Sequence, residues 1–177
     1  MKKNPFRAEL FMVATAVSIS ASADNTIKFQ GEVANQTCMV SINGNESDAE
    51  VMLPMQRASG LAIAGDTAGD TEFTLSVSGC TSTETDAAIN TVFVGNNLTS
   101  HGRIGNTGTA KNVTLRLFDP AAPAAALDLT GQIGGPGLSL AAGTTDASHH
   151  FAVQYYAEGP STPGTVLGSV QYAISYK

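Results

Sequence analysis

Ile27-Lys28-Phe29-Gln30-Gly31-Glu32-Val33 near the start of the chain, and Val170-Gln171-Tyr172-Ala173-Ile174-Ser175-Tyr176 at its end, alternate strictly between a core-type and a polar or small residue. A period of two puts one set of side chains on one face, so each stretch reads as a half-buried strand. The first stands on an exposed terminus, with only Asp24, Asn25 and Thr26 ahead of it once the leader described below is removed. A terminal strand with an apolar face pairs with a sheet. On the residues alone, that sheet is either its own or another chain's.

Working outward, Lys2, Lys3 and Arg7 make a positive n-region, Leu10 to Ile19 a mostly apolar h-region, and Ala21-Ser22-Ala23 a small-x-small cleavage site. This is the pattern of a removable signal peptide, with the mature chain starting at Asp24 and Ala14-Thr15-Ala16 as the weaker alternative site. The apolar run is too short, and too rich in Ser and Ala, to span a bilayer core of about 30 Å. Removing 23 of the 177 residues leaves 154, enough for one domain with a sizeable core. The leader holds three of the nine basic residues and one of the fifteen acidic ones, so the mature chain carries six against fourteen, a net charge of −8. That balance argues against nucleic acid and against anionic lipid, both of which need basic clusters.

Cys38 and Cys80 are the only two cysteines, in a chain addressed to an oxidising compartment. A disulfide is the natural reading, against the alternatives of two buried thiols or a metal site. The metal site lacks any His or further Cys at ligand spacing.

The rest of the chain reads as strands. Val33 to Ile42 continues from the terminal segment, and Glu50 to Leu53 forms a short strand stopped by Pro54. Phe73, Leu75 and Val77 alternate with polar residues, as do Val113, Leu115 and Leu117, and Phe151, Val153 and Tyr155. Thr91 to Val94 is a short apolar run. Turn clusters such as Asn43-Gly44, Gly65 to Gly69, Gly131 to Gly137 and Gly159 to Gly164 separate them. The sum is an all-β sandwich. Met55 to Ala64 holds at most one helical turn, and Pro123 sets Ala121 to Ala126 against helix.

The chain resembles the pilin subunits of chaperone–usher fimbriae, particularly the rod subunits of type 1 and type 3 fimbriae. The resemblance runs through Thr26 to Val33 followed by Cys38, then Ser41-Ile42-Asn43-Gly44, Ser47-Asp48-Ala49, Leu53-Pro54, and Gly105-Asn106-Thr107 with Val113. It ends on Tyr155-Tyr156-Ala157, Pro163-Gly164 and the penultimate Tyr176. Each fragment is weak; their order and spacing are specific. The resemblance implies an immunoglobulin-like β-sandwich that lacks its last strand and exposes a groove along one sheet edge. In the periplasm a chaperone fills that groove with its own strand, and in the fibre the next subunit's N-terminal extension replaces it.

On that reading residues 24–34 are the donor extension and 35–177 the sandwich domain. Ile27, Phe29, Gly31 and Val33 are the donor plug, and burying the three apolar ones contributes on the order of 1.5–3 kcal/mol each. Gly31 suits a shallow point where a residue with a Cβ cannot pass. Val170, Tyr172, Ile174 and Tyr176 border the groove, and Gly164, fourteenth from the end, stands where the family carries its chaperone-recognition glycine. The implied partners are identical subunits, a periplasmic chaperone, an outer-membrane usher and other subunits including a tip adhesin, on an extracellular fimbrium supporting adhesion.

No catalytic constellation competes. The chain has no G-x-S-x-G, H-E-x-x-H or S-x-x-K arrangement, and its glycine runs lack the lysine of a phosphate cradle. His149 and His150 are neighbours on a strand and point to opposite faces, so they do not chelate one metal. No enzyme activity, cofactor or metal is expected. The rival readings are a secreted β-sandwich carbohydrate-binding module, disfavoured by the absence of Trp and 6% aromatic content, and a minor adaptor pilin of the same family.

Overall fold

The computed structural model describes residues 38–131 and 133–176. Among the described residues, eight strands are arranged as β1 (Met39–Ile42), β2 (Thr67–Ser78), β3 (Ala87–Gly95), β4 (Ile104–Gly105), β5 (Val113–Phe118), β6 (Ser139–Leu140), β7 (Ala147–Ala157) and β8 (Val170–Tyr176). They form a five-stranded sheet in the order β1-β2-β7-β5-β4 and a three-stranded sheet in the order β6-β3-β8, with every pairing antiparallel. The only helical element among the described residues is a single 3-10 turn at Ala58–Leu61, inside the stretch expected to hold no more than that.

The core lies between the sheets because their inward positions alternate in register. Phe73, Leu75 and Val77 from β2, Ile89 and Phe93 from β3, Leu115 and Leu117 from β5, and Phe151 and Val153 from β7 are all buried in one cluster. Phe93 meets Phe151 edge-on across the two sheets at 5.1 Å, the arrangement that opposes a ring edge to a ring face. Turn chemistry fixes the register at the start. Asn43 and Gly44 both take positive φ, 50° and 82°, as a type I′ turn requires. Asn43 then accepts a hydrogen bond from the Thr74 N–H through its Oδ1 at 2.8 Å.

One local expectation changes. Glu50 to Leu53 alternates in burial like a strand but joins no ladder among the described residues, so it is an extended wall without sheet partners. The two-residue strands β4 and β6 carry no periodicity and went unseen in the sequence. The Ala121 to Ala126 stretch is a loop as expected, and Arg116 ties it down by donating to the Pro123 carbonyl.

Candidate functional site: an open groove along β8

The two strands of the small sheet that matter most are burial opposites. On β3, Ile89, Thr91 and Phe93 are 2%, 0% and 1% exposed. Their partners on β8 are Tyr176, Ile174 and Tyr172, and all three are only half-buried, as is Val170. These β8 side chains pack against the core, yet among the described residues β8 is the last strand of its sheet. An edge strand presents a row of backbone N–H and C=O groups along its outer side.

Beside that edge runs a groove of about 740 Å³. One wall is β8 and its approach, from Gly168 to Tyr172; the other is the extended segment from Ser47 to Leu53. The floor consists of core side chains from both sheets, including Phe73, Phe93, Leu115, Leu117 and Val153. These residues belong to the buried cluster, so the groove opens onto the hydrophobic core itself. A Cβ built on Gly168 would stand 2.7 Å from Ile104 Cγ2 and 3.0 Å from Leu115 Cδ1, which makes this glycine the clearance at one end of the groove.

Two devices hold the groove's frame. The disulfide Cys38–Cys80, with its Cα atoms 4.4 Å apart, closes the end of the β1–β2 pair. Tyr176 Oη accepts from the Cys38 N–H at 3.2 Å, tying the end of β8 to the start of β1. Upstream of β8, Thr165 and Leu167 accept from the Ala110 and Thr107 amides, and Asn106 Oδ1 takes the Leu167 N–H at 2.8 Å.

Gly164 sits six residues before β8 and lines a second, smaller cavity with Leu61, Ala110 and Tyr155, not the groove. A Cβ there would collide with the backbone of Thr109 and Ala110, so close chain packing explains the glycine. The donor-plug residues Ile27, Phe29, Gly31 and Val33, like the signal peptide, lie outside the described residues.

Other polar groups serve structure. His149 Nε2 bonds Asp119 Oδ2 at 2.9 Å, while His150 Nδ1 meets Thr74 Oγ1 at 3.1 Å, the opposite-face arrangement expected of strand neighbours. Arg103 grips Glu158 through Nε and Nη2 at 2.7 and 2.8 Å and stacks 4.0 Å over the Tyr156 ring. The guanidinium's hydrogen bonds hold the Glu158 carboxyl below the usual carboxylate range, against the opposing pull of burial. Burial alone pushes the Tyr155 phenol up.

No family model matches the chain. Among known proteins, it is 30% identical to the F17 fimbrial protein of Escherichia coli, across 94% of each chain. It is 31% identical to the major fimbrial subunit SMF-1 of Stenotrophomonas maltophilia, over 93% of this chain and 99% of that one. In fold it matches the subunit of a solved chaperone–usher pilus with a TM-score of 0.60 at 14% identity, over 92% of this chain and all of that one. A sandwich whose core opens beside an edge strand, in a chain related to such proteins along nearly its whole length, leads to one conclusion: the chain belongs to the fimbrial subunit family, the structural pilins that build bacterial surface fimbriae.

Proposed function

We propose that the subunit polymerises by donor-strand exchange, residues 24–34 of one copy filling the β8 groove of the next. The leader, residues 1–23, is removed on export, and residues 35–177 fold as the accepting sandwich. The observation that carries the reading is the groove floor: core side chains of both sheets are reachable beside an edge strand. An added strand would close the groove over them and pair with the β8 edge in one step. Ile27, Phe29 and Val33 supply the apolar face, and Gly31 the point of closest approach.

Before assembly the same edge needs cover, the role we assign to a periplasmic chaperone running its strand along Val170, Tyr172, Ile174 and Tyr176. Delivery through an outer-membrane usher and attachment beneath a tip adhesin complete the scheme. Gly164 would act in this scheme by setting the approach to β8. The subunit's contribution is structural and not catalytic.

The test is an SDS gel of purified fibres with and without boiling. A ladder that collapses to monomer on heating is expected, because strand-exchanged contacts resist detergent until the sandwich melts. A single monomer band in both lanes would overturn the reading.

A further inference from the structure

Burial alternates along the wall that faces β8. Ala49, Val51 and Leu53 are half-buried against the core, whereas Asp48, Glu50 and Met52 are exposed. The two carboxylates therefore stand on the outer rim of the groove. Among the described residues neither has an ion-pair partner, the ion pairs being Arg103–Glu158 and His149–Asp119. The opposite rim offers Ser169 and Gln171, both exposed and uncharged. One rim of the groove is acidic and the other neutral.

The segment assigned above to fill it carries one cation. With Ile27, Phe29, Gly31 and Val33 turned to the floor, Lys28, Gln30 and Glu32 face outward. A one-residue slip would turn the apolar set to solvent and is excluded by burial. A two-residue slip keeps that set inward, so hydrophobicity discriminates it poorly. Charge discriminates the slips that carry Lys28 past both carboxylates. Lys28 beside Asp48 and Glu50 is attractive and leaves Glu32 about 13 Å further along the strand. Slips that bring Glu32 to the same rim set like charges side by side, which is unfavourable across strands.

We propose that Lys28 is a specificity-determining residue of subunit joining: the ammonium of an incoming copy pairs with the Asp48 and Glu50 rim of the acceptor and disfavours the registers that bring Glu32 there. The partner is a second copy of this chain, and the inference rests on the donor-strand reading.

The experiment follows detergent-resistant polymer formation by full-length subunits on unboiled gels, at low and high salt. Lys28→Glu should slow polymerisation by about fivefold, with Lys28→Gln intermediate, since an exposed cross-strand charge pair is worth up to about that factor. The defect should shrink at about 1 M salt, where the screening length is near 3 Å. Asp48→Lys with Glu50→Lys should slow the wild-type donor comparably, and combining these with Lys28→Glu should restore the rate. Phe29→Arg, run beside them, reports on the groove itself. If Phe29→Arg blocks assembly but Lys28→Glu assembles at the wild-type rate, or the swapped charges fail to rescue it, the rim pairing is overturned and donor-strand exchange stands. If Phe29→Arg also polymerises normally, both fall.

Discussion

Cys38 and Cys80 are separated by 42 residues, and closing a loop of that size removes unfolded-state entropy worth about 4 kcal/mol in the chain-entropy model. A sandwich whose core opens into a groove has little stability to spare. Cys38→Ser should therefore lower periplasmic accumulation of the subunit sharply, which immunoblotting of periplasmic extracts checks. Accumulation at the wild-type level would mean that the bond is dispensable for folding. Glu158 gives a pH-dependent counterpart. Its carboxyl titrates below the ordinary value because Arg103 holds the charged form. Its contribution is thus present in full above the unfolded-state pKa and is lost as pH falls through the depressed folded value. Glu158→Gln should cost about 1 kcal/mol at pH 7, in the range of a well-aligned, partly exposed pair. The gap between the two proteins should narrow toward pH 3 in urea unfolding. A gap that stays constant with pH would assign the loss to packing over Tyr156.

At the scale of elements, the groove depends on small clearances along one edge. Gly168 lies where a side chain would press on Ile104 and Leu115, and all three line the groove. Gly168→Leu should fill that end while leaving both sheets intact. The expected phenotype is a subunit that folds and donates its own extension but no longer accepts one, scored by mixing it with tagged wild-type subunits and reading unboiled gels. Normal acceptance would show that this end of the groove is not occupied. The elements themselves were largely legible in the sequence. β2, β5, β7 and β8 announced themselves through period-two alternation, and Asn43-Gly44 through its demand for positive φ. β4 and β6 are too short for any period. The Ser47 to Leu53 wall alternates without a ladder, because burial against the core, and not strand pairing, sets its pattern. The His149–Asp119 contact joins residues that the sequence keeps thirty apart, and nothing local marks it. The groove became readable only through the family resemblance, since a missing strand leaves no trace in the residues that are present.

For the whole molecule, the proposed donor-strand exchange assigns donating and accepting to separate parts of one chain, so each should be open to being disabled alone. Phe29→Arg or Gly31→Leu should leave the sandwich and its chaperone complex intact while preventing donation. The first would bring an unpartnered charge into an apolar groove at a cost of several kcal/mol, and the second would overpack a point that admits only glycine. Co-expressed with wild-type subunits, either variant should cap fibres and shorten them in electron micrographs. Loss of the chaperone complex in these variants would place the N-terminal strand in its own sheet.

The position of the disulfide has a mechanical consequence for a fibre joined in this way. Tension arriving through a subunit's own N-terminal strand enters the sandwich at Cys38, five residues after Val33. There a covalent bond passes the load directly to Cys80 at the far end of β2. The stretch between them, which contains β1, the acidic wall, the 3-10 turn and β2, lies outside that direct path. On the donor-strand reading, a pull on a subunit's own extension therefore does not peel β1 and the wall away from the sandwich.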